Sequence, residues 1–167
     1  DGPAVPTLAV VIPCYTLERL DDIVRLFDSI ERQTSRVDDV IVVVQKSREL
    51  MEVLQSAIAH RAGTRIRLLF LDIVPQVSRA RNAALTTVNA DIVAFVDDDA
   101  VLAEDWAAAT RAFYSGYPDA VGTAGAILPL WDSPDMEWFP RELYWMLSCT
   151  YWTAPSPIIA VSYTHLT

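Results

Sequence analysis

Three consecutive aspartates, Asp97, Asp98 and Asp99, follow directly on the apolar run IVAFV at 92–96. A short apolar run bounded by polar residues reads as a strand buried on both faces, as in a parallel sheet. In such sheets ligands sit outside the carboxyl ends of the strands, and the carboxylates fall there. Alternation along an extended segment predicts that Asp97 and Asp99 point one way and Asp98 the other. Three acids this close repel one another unless a cation or hydrogen-bond donors offset the charge. Carboxylate oxygens are the ligands that hard divalent ions prefer, which points to Mg2+ or Mn2+. The competing reading is a solvated acidic turn that caps the next helix.

The elements that must position these acids are legible in order. LAVVI (8–12) is a strand expected to end at Pro13, which cannot donate to a ladder. Thr16 caps the helix that follows, whose stripe is Leu17, Leu20, Ile23, Val24, Phe27 and Ile30. VIVVV (40–44) is a second strand, leading to a helix from about Ser47 with Leu50, Val53, Leu54 and Ile58 inward. IRLLFL (66–71) is a third, followed by Ser78 as the expected cap of RARNAALTTV. The fourth strand carries the aspartates, and a helix is expected from about Ala103 to Phe113. Alternating strands and helices predict an α/β fold with a mainly parallel sheet flanked by helices. Further on, 119–131 reads as one strand with close backbone approach at Gly122 and Gly125, and the aromatic segment after it as a wall or lid. No internal repeat is visible.

A chain of 167 residues, 52% hydrophobic, is one domain with a substantial core. No apolar run reaches the ~20 residues that span a bilayer, and DGPAVPT lacks the features of a signal peptide. Cys14 and Cys149 are too few and too far apart for a disulfide framework or a zinc site, which favours a reducing compartment. A cytoplasmic location is therefore expected, with peripheral attachment at the inner face of the cell membrane left open. The net charge of −9 speaks against nucleic acid, whose phosphates need a basic face. Aspartate dominates the acids, and Lys46 is the single lysine; both a salt-rich cytoplasm and a GC-rich genome would produce that bias.

The glycines cannot build GxGxxG, and none precedes a lysine as in a P-loop. His60 and His165 read as incidental. Two chemistries remain for the triplet. One is phosphoryl transfer of the haloacid-dehalogenase type, with Asp97 as nucleophile and Asp99 as acid/base, since Asp97, Asp99 and Val101 match DxDx[TV]. That chemistry wants a later lysine, and none follows Lys46. The other is sugar transfer from a nucleotide donor. It needs a divalent cation on the diphosphate, a strand-end pocket for base and ribose, and a separate carboxylate to deprotonate the acceptor.

The second chemistry meets a resemblance. VVIPCYTLERLDDIVRLFDSIERQT resembles the opening strand and helix of the family 2 glycosyltransferases of GT-A fold, with their P-x-Y and terminal Q-T at Gln33 and Thr34. SRARNAALTTVNADIVAFVDDDAVLAEDW is similar to the family's ARN-to-DxD stretch. DAVGTAGAILPLW and WFPRELYWMLSCTYW resemble the strand and acceptor wall of members acting on lipid phosphates, of dolichyl-phosphate or glucuronosyl type. The resemblance covers residues 8 to about 152. It implies a Rossmann-like GT-A domain over 1–152; 153–167 is expected to be an irregular tail, of non-native sequence by the look of its last seven residues, VSYTHLT. It implies an inverting transferase of glycan or cell-envelope synthesis, moving sugar from a nucleotide-diphosphate sugar, expected to be a UDP-sugar, to a glycan or lipid-linked acceptor.

Carried over, Pro13 and Tyr15 line the base pocket and Arg81 lies near the diphosphate. Asp97 and Asp98 face ribose and metal, and Asp99 is the main ligand of Mn2+ or Mg2+, with Asp97 beside it. Two departures are Thr16 in place of Asn and Gln45 where an Asp often reads uracil; a Gln carbonyl also accepts from a ring N–H. The third is that the family's catalytic base lies downstream, while no acid follows Glu142. A truncated gene is expected on that ground, and no catalytic base is assigned. The alternative class is a non-catalytic module that binds sugar nucleotides.

Overall fold

The computed structural model describes residues 4–131, 133–136 and 138–150, and the backbone of 161–166. Its centre is a four-stranded parallel sheet in the order β3-β2-β1-β4, formed by β1 (Leu8–Cys14), β2 (Asp39–Gln45), β3 (Ile66–Leu71) and β4 (Ile92–Phe95). The helices α1 (Leu20–Glu31), α2 (Arg48–Ile58) and α3 (Val77–Leu85) connect these strands. The expected α/β class is met.

Alternation in the strands divides the core between the two faces. Leu8, Val10, Ile12 and Cys14 of β1, with Val40, Val42 and Val44 of β2, pack against Ile23, Leu26, Phe27 and Ile30 of α1 and Leu50 and Leu54 of α2. Val11, Ile41 and Val43 face the other way, onto Ala80 and Ala84 of α3. Two alanines let that helix lie close to the sheet. The helical stripe read in α1 is therefore its core face, joined by Leu26.

β1 runs through Pro13 to Cys14, two residues beyond the predicted end. The reason lies in the register. Val11 pairs with Phe95, the last residue of β4, and accepts the Val96 N–H at 3.0 Å. Backbone groups of alternate residues point the same way, so the Pro13 nitrogen faces the side where β4 has ended. No donor is needed there.

The strand order places consecutive connections on opposite sides of β1, making the gap between β1 and β4 a topological switch point, where α/β sheets bind ligands. A reciprocal clamp fixes the far end of that pair. Asp91 Oδ2 accepts from Thr7 N and Thr7 Oγ1, both at 2.8 Å, and Thr7 Oγ1 accepts from Asp91 N at 2.9 Å.

Beyond β4 the expectations need three corrections. A short strand, β5 (Ala100–Leu102), precedes α4 (Trp106–Gly116), so the chain does not enter the helix directly. Residues 121–125 are not strand, and only Ala126–Trp131 form β6; two glycines in five residues weaken an extended segment. In the tail expected to be irregular, 153–160 lie outside the described residues, but β7 (Val161–Leu166) is a strand. It pairs antiparallel with β5 and parallel with β6. Its β-branched and aromatic composition suits a strand, and β5 and β6 both offer it an edge.

Candidate functional site

The triplet leaves the carboxyl end of β4, but it does not continue the strand. Ala100 N–H bonds the Asp97 carbonyl at 3.2 Å, closing a turn over 97–100. Side chains in a turn do not alternate, and the expected pairing of Asp97 with Asp99 is not what forms. Asp98 and Asp99 instead share one guanidinium. Arg19 Nη1 lies 3.2 Å from Asp98 Oδ1 and 2.5 Å from Asp99 Oδ2. Asp97 points elsewhere, 68% exposed, with Arg81 Nη2 at 3.2 Å from its Oδ1. Two arginines from two helical segments thus bracket three acids.

Arg19 closes the 3-10 turn Leu17–Arg19, ahead of α1. Thr16 caps that turn as predicted, accepting from Glu18 N–H at 3.3 Å. Sequence reading passed over Arg19, since an arginine at the start of an amphipathic helix looks like one more solvent-facing charge. Burial pushes the Asp98 carboxyl up to about 6, with Arg19 opposing and Asp99 and Asp97 adding to the rise. Its hold on Asp99 and Asp98 in turn raises the Arg19 guanidinium further above its ordinary range.

Arg81 comes from α3, whose start differs from expectation. The helix begins at Val77 with Gln76 at the cap position, and Ser78 lies inside it. Gln45, buried at the end of β2, makes the connection: its Oε1 accepts the Gln76 N–H at 2.7 Å. That oxygen, expected to meet a ring N–H, already has a backbone partner. Gln45 therefore fastens α3 to the sheet and so orients Arg81. The next residue, Lys46, is held at φ 64°, a left-handed conformation that non-glycine residues adopt at a cost. Arg81 also lies over the Phe95 ring, 5.2 Å to its centroid. Its Nε is buried with no hydrogen-bond partner among the described residues. A buried unpaired donor is expensive.

Pro13 and Tyr15 stand at the end of β1, beside the triplet across the switch point. Pro13 is buried and Tyr15 is exposed. Cys14 between them donates weakly to the Val43 carbonyl at 3.7 Å, and burial pushes its thiol up to about 12. It is a neutral packing group. Along β4 lies a cavity of about 420 Å³, walled by Phe95, Asp97, Trp106, Tyr114 and the 121–125 segment.

Trp131, Phe139 and Tyr144 meet at centroid separations of 5.9 to 6.4 Å. After them, Thr150 clasps β6 through Thr150 N–H to Ile127 O at 2.7 Å and Ile127 N–H to Thr150 Oγ1 at 2.9 Å. This pins buried Cys149, whose thiol is raised by burial and by the charge of Asp99. Asp132 and Glu137 lie outside the described residues.

The donors present limit what kind of cation the triplet could take. Among the described residues no three His, Cys, Asp or Glu side chains gather closely enough to hold a metal by themselves. Mg2+ and Mn2+ need fewer. Mg2+ is commonly bound by one or two carboxylates, with phosphate and water completing the shell. Asp99, with Asp98 on the same guanidinium, already attracts a positive group.

Comparisons with known proteins agree with this geometry. The sequence profile described as Glycosyl transferase family 2 matches residues 9–146. A glucosyl-dolichyl phosphate glucuronosyltransferase of Haloferax volcanii is 29% identical over 142 residues, covering 85% of this chain and 45% of that protein. The chain thus spans about half the length of this curated relative. S. aureus TarS, residues 1–349, superposes with a TM-score of 0.59 at 19% identity, covering 76% of this chain and 36% of that one. Its complex with UDP-GlcNAc gives 0.55, at 19% identity over 77% and 36%. At these identities the likeness establishes the fold, of GT-A type.

Proposed function

Starting from the fact that the chain belongs to glycosyl transferase family 2, we propose that it binds a nucleotide-diphosphate sugar, a UDP-sugar, for inverting transfer. The acceptor is a lipid phosphate or a glycan. One observation carries the reading: an acidic triplet at the switch point of a parallel sheet, bracketed by Arg19 and Arg81. A diphosphate with a divalent cation brings both charges that this arrangement calls for.

In this reading Asp99 would hold Mn2+ or Mg2+, with Asp98 beside it and Asp97 reaching the cation only through the bound diphosphate's surroundings. The cation supplies neutralisation of the charge that builds on the departing nucleotide. Arg81 donates to the diphosphate from the exposed end of its guanidinium, with Phe95 supporting its plane. Pro13 and the exposed Tyr15 ring form the base pocket, and Gln45 acts by positioning α3. The wall of Trp131, Phe139 and Tyr144 faces acceptor. TarS, of like fold, is known in complex with UDP and with UDP-GlcNAc, which supports a uridine donor. The Haloferax relative is, by its name, a glucuronosyltransferase of glucosyl-dolichyl phosphate, which supports a lipid-linked sugar acceptor and, with it, peripheral contact with a membrane. Among the described residues no helix is long and apolar enough to cross one.

A thermal-shift comparison of UDP, GDP and ADP with Mn2+ tests the donor class. UDP should raise the melting temperature by several degrees and the others by less; equal shifts, or none, would overturn the assignment.

A further inference from the structure

Among the described residues Arg19 is the one charged group that touches both Asp98 and Asp99, and it does so through a single nitrogen, Nη1. Neither Nη2 nor Nε bonds the triplet. Its backbone closes a 3-10 turn that runs straight into α1, and its side chain is 41% exposed. The guanidinium is thus held at its tip while the side chain that carries it is partly open to solvent.

Building on the metal-and-diphosphate reading above, we infer that Arg19 is an internal counter-cation that occupies the metal's place on Asp98 and Asp99 until donor arrives. It then transfers to the diphosphate. A guanidinium and a divalent ion cannot share Asp99 Oδ2 at contact distance, because their like charges repel in a partly buried setting. Metal bound at that oxygen without nucleotide must therefore displace Arg19 into solvent and strip Asp98 of its only charge partner of opposite sign among the described residues. With nucleotide present the released guanidinium meets phosphate oxygens, which its planar fork fits well. The consequence is a positive coupling between metal and donor: each binds weakly alone, and the two bind well together. It also keeps a bare triplet from being left unneutralised between turnovers.

The test separates this role from simple structural support. Mn2+ alone is titrated into the wild-type chain and Arg19→Gln, following free Mn2+ by electron paramagnetic resonance, and the titration is repeated with saturating UDP. Arg19→Gln should lower the metal-free melting temperature yet bind Mn2+ alone about tenfold more tightly, and UDP should strengthen its Mn2+ binding less than in wild type. A merely supporting arginine would weaken both properties. Wild type and Arg19→Gln binding Mn2+ equally would overturn the inference and leave the donor reading standing. If neither binds Mn2+, with or without UDP, the metal reading fails and takes the inference with it. Should Arg19→Gln not fold, the wild type carries the test through the ¹⁵N resonances of the Arg19 guanidinium. These should shift on adding Mg2+ with UDP, and unchanged resonances would overturn the inference.

Discussion

Gln33 Oε1 accepts the backbone N–H of Ala107 at 2.8 Å, while Gln33 Nε2 donates to the Ala103 carbonyl at 2.7 Å and to Ser29 O at 3.0 Å. One side chain at the end of α1 thereby satisfies both polarities at the entrance to α4. Thr34 adds its own N–H to the Glu104 carbonyl at 2.8 Å. Because Arg19 stands at the other end of the same helical segment, α1 fixes the position of the triplet from both sides. Gln33→Leu should cost about 2–4 kcal/mol, since three backbone groups each lose a bond. Urea denaturation measures this; a loss under about 0.5 kcal/mol would show that the clasp is dispensable.

Arg111 is the most heavily bonded buried cation described. Nε reaches Pro6 O at 2.8 Å, Nη1 reaches Ser35 Oγ at 2.7 Å, and Nη2 reaches Arg36 O at 2.8 Å and Asp38 Oδ2 at 2.7 Å. Arg111→Met should cost at least about 2 kcal/mol by the loss of these charge-assisted bonds. Lysine cannot reproduce the fork, so Arg111→Lys should recover less than half of the loss in the same urea assay.

The Thr7–Asp91 clamp predicts a pH dependence. Hydrogen bonds from Thr7 hold the Asp91 carboxyl below its ordinary value of 3.8. A carboxyl depressed on folding binds fewer protons folded than unfolded between the two values, so its contribution is present above the unfolded value. It is lost as pH falls through the folded one. The stability difference between wild type and Asp91→Ala should therefore be constant from pH 5 to 7 and shrink below about pH 4. A difference that grows on acidification would contradict the clamp.

Much of the frame could be read from the chain itself. Apolar runs and helical stripes placed the four parallel strands and their helices, because burial on both sheet faces leaves a strong pattern. P-x-Y, ARN and the aspartates pointed to the switch point between β1 and β4, where the candidate site lies. What escaped was set by turns and long-range bonds. The turn at 97–100 undid the alternation of Asp97 and Asp99, and β5 arose in a stretch too short to show a period. Arg19 and Arg111 look like surface charges until the fold brings Asp98, Asp99 and Asp38 to them. Gln45 resembled a base-reading residue, yet its partner, Gln76, lies 31 residues away and is seen only in three dimensions.

Transfer, as distinct from binding, needs a general base, which typically contributes on the order of 10²–10⁴-fold. Among the described residues walling the cavity along β4, Asp97 is the only acid. We expect the 167-residue chain to turn over donor with a lipid-phosphate acceptor near background. Turnover of about 1 per second or more would place the base within it, with Asp132, Asp135, Glu137 and Glu142 the acids to replace one by one.

The central claim is that the Asp97–Asp99 triplet binds a nucleotide diphosphate through a divalent cation. Calorimetric titration of UDP into the wild-type chain, once with Mn2+ and once with EDTA, tests it most directly. Affinity should be at least about tenfold higher with Mn2+, and Asp99→Asn should remove most of that difference while leaving the EDTA value nearly unchanged. Equal UDP affinity with Mn2+ and with EDTA in the wild type would contradict the claim.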